Sequence, residues 1–388
     1  MRILLLRNMG DQINLNNYNV QEIGLAKALV KRGHQCDIVL YSNTEMHKKE
    51  KIECDNGYIT IHWVKGINIY YNAIYVKLIK EKFFDNYDII QTHEYNQIMT
   101  WILPFITETK KVIYNGPYQD IKNKVIHNWF DFIFLPSIKK HYDYVLAKSK
   151  LSANYLLEKG FNKIQSIGVG LDTNRFSTSI PFEESSLYKY RERFEAQPTL
   201  LYIGKLEERR NIGFLLDIAY ELKKKFKFNL LMIGNGEKEY LKKYFRRISE
   251  LGLDENIIYL EKLEQKEIKN AYEISDLFVF PSKYEIFGMV LLESMYFNCP
   301  ILSSYNGGTS ILLQDKYPEM IRNDFDLNDW VKSIISLLQT RKEYMLKEYI
   351  EKNFTWNVIS QKFEEIYNSV LLKKDKQEYT GTKTFQWR

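Results

Sequence analysis

Cysteine is scarce: Cys36, Cys54 and Cys299 are the three among 388 residues. An odd, scattered set without C-x-x-C spacing excludes a disulfide framework and a cysteine zinc site, and suits a reducing cytosol. Long apolar runs are missing as well. None approaches the ~20 residues that a membrane-spanning helix needs. The opening MRILLLRNMG is too brief an apolar run for a signal peptide and lacks a small-residue cleavage site. No G-x-x-x-x-G-K-[ST] loop occurs, which argues against phosphoryl transfer of the P-loop kind. No self-similarity appears at a period of about 20–50 residues, which argues against a solenoid.

What is present is ordinary for a soluble globular protein, with 45% hydrophobic and 27% charged residues. At roughly 150 residues per domain, the length suggests two domains or three. The net charge of +6 lies entirely in the first half. Residues 1–175 hold 23 Lys and Arg against 17 Asp and Glu, whereas residues 176–388 hold 32 of each. The segment 109–150 alone has 8 Lys and 3 Asp. It reads either as a docking surface for anionic lipid or a diphosphate-linked acceptor, or as a solvated lysine face. With no nucleic-acid-binding motif and a neutral second half, nucleic acid is not an expected partner.

Strand and helix patterns alternate along the chain. RILLLRN, CDIVLYS, YDIIQTH, KKVIYNG, YDYVLAKS and IQSIGVG are short apolar runs, and VQEIGLAKALVKRG repeats its apolar residues at helical spacing. Such alternation predicts an α/β fold whose parallel sheet is covered on both faces. In these sheets ligands bind beyond the carboxyl ends of the strands, which makes Asn8, His93, Glu94 and Asn115 candidates. Residues 177–198 are polar and punctuated by Pro181 and Pro198, and are expected to link a first domain (1–176) to a second (199–355). There the pattern restarts with TLLYIGK, FNLLMIGNG, NIIYLEK, DLFVFPS and PILSS. WNVISQKFEEIYNSVLL predicts a helix over 356–372, and 373–388 lacks periodicity and reads as a mobile tail.

The strongest local signal is PSKYEIFGMVLLESM. Glu285 lies in the turn after a strand, and Gly288 lets backbone approach a ligand. The amides that follow open a helix and face oxygens. Glu293 is four residues, about one turn, beyond Met289. Two carboxylates so placed can accept hydrogen bonds from sugar hydroxyls; the plainer reading is a helix-start Glu and a surface Glu. In IGKLEERRN, Lys205 and Arg210 follow a strand and suit a diphosphate, with Arg209 read as a surface residue and a solvated basic loop as the alternative. Gly234 and Gly236 in LMIGNGEKEY can bring backbone near a nucleotide, although many turns carry two glycines. Gly307, Gly308 and Thr309 in SSYNGGTS open a helix and can hold an anion or form a plain tight turn.

Together these residues resemble glycosyltransferase family 4, with its two-domain GT-B fold, from Met1 to about Leu372. The E-x7-E element from Glu285 to Glu293 is the most specific part. Lys205 and Arg210 fall where that family has an Arg and a Lys, exchanged in type but alike in charge. The resemblance implies two Rossmann-like domains facing a cleft, with the terminal helix crossing back onto the first. It implies retaining transfer of a hexosyl or N-acetylhexosaminyl group from a nucleotide-diphosphate sugar, expected to be UDP-linked, to a glycan or lipid-linked acceptor in surface polysaccharide biosynthesis. No metal and no cofactor are expected. Glu285, Lys205 and Arg210 take the catalytic places. Glu293, Phe287, Gly288, Met289, Gly234, Gly236, Gly308 and Thr309 take the donor-binding ones. Gly10, His93 and Asn115 fall on the acceptor side, where this chain departs from the family. Only Gly10 stands in the first loop, and Asn115 replaces a frequent His. Asp324 and Asp326 form a D-x-D, read as helix capping. Residues 122–150 mix Trp129, Phe130, Phe132, Ile133 and Phe134 with Lys122, Lys124, Lys139 and Lys140. This suits either peripheral contact with an anionic membrane or core packing. The expected location is the cytoplasm, with the inner membrane face as a docking place. The alternatives are a sugar-nucleotide epimerase on the same fold and a non-catalytic nucleotide-sugar or glycan-binding partner of a membrane assembly.

Overall fold

The computed structural model describes residues 1–15, 20–44, 47–119, 124–142, 144–340 and 344–378, without the side chains of 124 and 373–378. The chain divides into two compact units. The first comprises Met1–Gly170 and Trp356–Arg388, the second Leu171–Thr355.

The first unit is built on an eight-stranded sheet. Its strands are β1 (Arg2–Leu6), β2 (Gln35–Ser42), β3 (His47–Cys54), β4 (Gly57–Lys65), β7 (Ile89–His93), β8 (Lys110–Asn115), β9 (Tyr144–Ala147) and β10 (Ile164–Ser166), with β5 (Ile67–Ile69) and β6 (Asn72–Ile74) forming a separate ribbon. The order across the sheet is β10-β9-β8-β7-β1-β2-β4-β3. All pairings are parallel except β3 with β4. β1 is central, which explains why RILLL is a nearly unbroken apolar run: Ile3 to Leu6 are fully buried. The β3–β4 hairpin escapes the sequence reading because HKKEKIEC is a charged edge strand, as edges commonly are. Its signal was the turn Asp55-Asn56-Gly57, whose Asn56 takes a positive φ of 105°.

The second unit has a six-stranded parallel sheet: β11 (Thr199–Ile203), β12 (Asn229–Ile233), β13 (Ile257–Leu260), β14 (Leu277–Phe280), β15 (Ile301–Ser304) and β16 (Ile321–Arg322). The order is β13-β12-β11-β14-β15-β16. This is the doubly wound arrangement in which strand order reverses once, between the first strand of the unit and the fourth. Each unit therefore has one reversal, β1/β7 in the first and β11/β14 in the second, the place where ligands bind in doubly wound sheets.

The expected linker at 177–198 is instead part of the second unit, folded into short turns at Phe182–Glu184 and Tyr188–Tyr190 and a helix at Arg191–Ala196. Buried Glu267 holds it: its carboxylate accepts the Ser185 hydroxyl at 3.0 Å and the Ser186 N–H at 2.6 Å. The chain crosses between units earlier, at 170/171, and crosses back at 355/356. The terminal helix runs Trp356–Glu378, beyond the expected end at 372. KKDKQE contains good helix formers and no breaker, so nothing stops the helix at Leu372. The remainder of the expected tail, 379–388, lies outside the described residues. This helix packs against the Gln21–Lys31 helix. Trp356 fits only because residues 24 and 170 are glycines: a Cβ there would stand 2.1 and 2.4 Å from the indole.

Candidate active site

In the second unit the predicted residues gather at the carboxyl ends of β11 and β14, on the two sides of the strand reversal. After β11 the chain makes a short turn at Glu208–Arg210, and Asn211, at φ 58°, starts the Ile212–Lys223 helix. After β14 it reaches Glu285. The Arg210 guanidinium and the buried Glu285 carboxylate form an ion pair across this gap. Arg210 also lies over the Phe280 ring, 5.2 Å from its centroid. Arg209, read from sequence as a surface residue, braces the same turn. It lies 2.7 Å from Glu207 and 3.9 Å from Glu285, and donates to the Tyr284 carbonyl at 3.2 Å. Lys205 is exposed just past β11, and its carbonyl accepts the Tyr202 hydroxyl at 2.9 Å.

The Glu285 turn is held from within. The Phe287 N–H donates to Glu285 Oε1 at 3.4 Å, and the Gly307 N–H to the Glu285 carbonyl at 2.9 Å. Gly288, at φ 76°, turns the chain into the Met289–Tyr296 helix. A Cβ on Gly308 would stand 1.8 Å from the Phe287 carbonyl oxygen. Thr309 closes a capping box: its hydroxyl accepts the Asn306 N–H at 2.8 Å, and its own N–H donates to Asn306 Oδ1 at 3.2 Å. Gly308 and Thr309 thus lie directly behind the Glu285 loop. Gly234 and Gly236 perform a similar task on the β11 side. Cβ atoms there would meet the carbonyl oxygens of Gly204 at 1.9 Å and Leu206 at 2.5 Å.

Glu293 is buried one turn further along. The Tyr272 hydroxyl donates to its Oε2 at 3.1 Å, and Arg175 stands 3.8 Å from Oε1. Burial raises its carboxyl above the ordinary value. No local spacing in the sequence ties Arg175 to Glu293. The D-x-D does cap a helix: Asp326 Oδ1 accepts the Asp329 N–H at 2.7 Å in the first turn of Leu327–Thr340. Among the described residues, no group of three or more His, Cys, Asp or Glu could hold a metal ion.

Residues 188–354, which span both sides of this reversal, match the family model of the glycosyl transferases group 1. That match covers less than half of the chain; the chain as a whole has the GT-B fold. It is similar to an uncharacterized glycosyltransferase of Methanocaldococcus jannaschii, at 23% identity over 89% of this chain and 92% of the relative. It is also similar to the capsular polysaccharide biosynthesis glycosyltransferase CapH of Staphylococcus aureus, at 23% identity over 82% and 87%. Among solved structures, Anabaena HepE in complex with UDP-glucose aligns with a TM-score of 0.70 and 15% identity, covering 95% of this chain and 100% of that one.

In the first unit of this GT-B protein a polar cluster occupies the β1/β7 reversal. Glu22, buried in the first turn of the Gln21–Lys31 helix, has Oε1 at 3.3 Å from both Arg7 Nη1 and His93 Nδ1. Burial opposes ionisation of Glu22, yet His93, Arg7 and Lys148 hold its carboxyl down at about 2. Burial pushes His93 down to about 4. At neutral pH Glu22 is therefore an anion and His93 a neutral ring that donates through Nδ1. Its Nε2 is buried with no hydrogen-bond partner, a feeble base. Glu94, one of the strand-end candidates, sits at a positive φ of 59° and accepts the Gly116 N–H at 3.0 Å; burial raises its carboxyl.

Asn115 is tied to its neighbours: Nδ2 donates to the Pro117 carbonyl (2.9 Å) and the Ser152 hydroxyl (3.0 Å), and Oδ1 accepts the Tyr95 N–H (3.3 Å). Gly10 receives the β5–β6 ribbon, since a Cβ there would strike the Asn68 side chain at 2.6 Å. The aromatic segment has an exposed and a packed side. On the Lys124–His141 helix, Trp129, Phe132 and Ile133 are exposed, while Phe130 and Phe134 pack against a core containing Leu135 and Ile138. Lys139 and Lys140 are exposed, and Lys122 lies outside the described residues. Among the described residues, no helix is long and apolar enough to cross a membrane.

Proposed function

We propose that this protein is a retaining, metal-independent glycosyltransferase that moves a hexosyl or N-acetylhexosaminyl group from a UDP-linked sugar to a glycan or lipid-linked acceptor during surface polysaccharide synthesis. The observation that carries the reading is the pairing of Arg210 with Glu285 across the β11/β14 reversal, where ligands of doubly wound sheets bind. The likeness to the capsular polysaccharide enzyme and to a UDP-glucose complex supports the acceptor class and the donor.

In this reading Arg210 turns from Glu285 to the donor diphosphate together with Lys205. Glu285 then takes the sugar hydroxyls, and Glu293 the ribose. Backbone at Phe287, Gly288 and Met289 lines the sugar and phosphates. The bond from the anomeric carbon to the diphosphate breaks, UDP leaves with the electron pair, and the acceptor oxygen forms the new glycosidic bond. Two cationic side chains and the start of the Met289 helix take the developing charge, so no metal is required. His93, held neutral and weakly basic, leaves the acceptor proton to a donor phosphate oxygen. The protein works in the cytoplasm, and the exposed face of the Lys124–His141 helix meets an anionic inner membrane surface.

The test is a hydrolysis screen over common nucleotide sugars without acceptor. The wild type is expected to release UDP slowly from one of them, with chelator present or absent. Glu285→Ala is expected to abolish turnover while circular dichroism stays native. Full activity in that variant rejects the assignment. Donor conversion to an epimer, or tight binding without turnover across the panel, rejects transferase chemistry.

A further inference from the structure

Beside the first unit's polar cluster stands the β5–β6 ribbon, joined by a two-residue loop, Tyr70-Tyr71. Both residues adopt positive φ, 48° and 65°. Two-residue hairpin loops of this kind strongly favour Asn-Gly, because an ordinary side chain is strained there. A pair of tyrosines is a poor choice for the turn and a costly one for the surface, since Tyr70 is 80% and Tyr71 71% exposed. Neither burial nor turn chemistry explains them. On the ribbon, Ile67 and Ile69 are exposed as well.

The ribbon is firmly placed. The Gly10 N–H donates to the Tyr71 carbonyl at 2.7 Å, Asn68 Nδ2 to the Gly10 carbonyl at 2.6 Å, and the Ala73 N–H to the Asn8 carbonyl at 2.8 Å. Asn72 Oδ1 accepts the Ile98 N–H at 2.9 Å, tying the ribbon to the chain just past His93 and Glu94. Two aromatic rings are thus presented by a ribbon that is hydrogen-bonded to the loop after β1, at the edge of the sheet where ligands bind. The stretch GINIYYNAIYV, residues 66–76, contains no charged side chain, so an anionic membrane or anionic polymer finds no counter-charge in it. Rings with an apolar body and a hydroxyl tip suit the apolar faces and hydroxyl rims of sugars.

We propose that Tyr70 and Tyr71 form an aromatic platform that binds an uncharged oligosaccharide, the acceptor glycan, next to the Arg7–Glu22–His93 cluster. The proposal rests on the transferase reading for the word acceptor, but glycan binding is measured separately from turnover. The full chain is applied to an array of short neutral oligosaccharides as wild type, Tyr70→Phe/Tyr71→Phe and Tyr70→Asn/Tyr71→Gly. The last variant installs the favoured turn, so it keeps the ribbon while removing both rings. Its melting temperature is expected to rise, and its glycan retention to fall by at least about tenfold. The phenylalanine pair keeps the stacking faces and is expected to retain glycan within about threefold of wild type. UDP affinity is expected to be equal in all three. No retention by the wild type overturns the proposal, as does equal retention by the Asn-Gly variant. Loss of binding to anionic vesicles rather than to glycan in that variant also overturns it. Absence of UDP-sugar turnover with glycan retention intact removes the enzyme reading and leaves the platform.

Discussion

Replacing Arg210 with methionine is expected to destabilise the second unit, because Glu285 then keeps a charge without its main partner. Breaking a fully enclosed ion pair by removing one member costs about 3–5 kcal/mol. Here the two side chains are 15% and 12% exposed, and Arg209 stands 3.9 Å from the same carboxylate. Residual solvent and the second cation lower the expected loss to about 2–3 kcal/mol. Glu285→Leu alone strands Arg210 and also removes the acceptor for the Phe287 N–H, adding about 1 kcal/mol. The double variant leaves neither charge of the pair behind. It is expected to lose only the Phe287 contribution, a coupling of about 4–6 kcal/mol, the sum of the two stranding losses. Urea unfolding of the four proteins, following the transition of the second unit, measures the cycle. Additive losses, or a single-variant loss below about 0.5 kcal/mol, would refute the argument that each side chain is held by the other. The activity readout is different: both singles and the double are expected to lack turnover, so stability recovers where catalysis does not.

The first unit is expected to lose stability as pH falls. His93 titrates near 4 when folded against an ordinary 6.5, and Glu22 near 2 against 4.5. From these two groups the unfolded chain binds more protons between pH 6.5 and 2, and their contribution to stability falls on acidification, while Glu94, whose carboxyl burial raises, opposes them. His93→Gln is expected to flatten the slope between pH 6.5 and 4 in thermal melts; an unchanged slope rejects His93 as its source. Gly234→Ala places a Cβ 1.9 Å from the Gly204 carbonyl oxygen at a φ of +148°, and is expected to cost about 3 kcal/mol or more by overpacking and strain. A variant melting like the wild type contradicts this. Glu293→Gln keeps an acceptor but loses its charge, and is expected to raise the donor KM about tenfold with kcat little changed. A fall in kcat at constant KM speaks against ribose binding.

What could be read in advance was local. Glu285, Gly288 and Glu293 lie within one strand–turn–helix, so spacing places them. Arg210 was legible because a strand end is a short-range pattern. The partners were not, since Arg175 reaches Glu293 across 118 residues of sequence, and Arg209 braces Tyr284 across 75. On the acceptor side the same limit applies: the contacts of Asn115 with Ser152 and Tyr95, and of Gly10 with Asn68, join residues far apart in sequence. The charged edge strand β3 hid because its pattern obeys solvent rather than the core.

The crossings at 170/171 and 355/356 make the first unit a discontinuous body. During synthesis its amino-terminal 170 residues emerge long before Trp356, so the space lined by Gly24 and Gly170 has no occupant until the entire second unit has left the ribosome. A stop codon anywhere before Trp356 would therefore damage the half of the protein that is made first, and a nascent chain arrested there would display a raw apolar groove to chaperones.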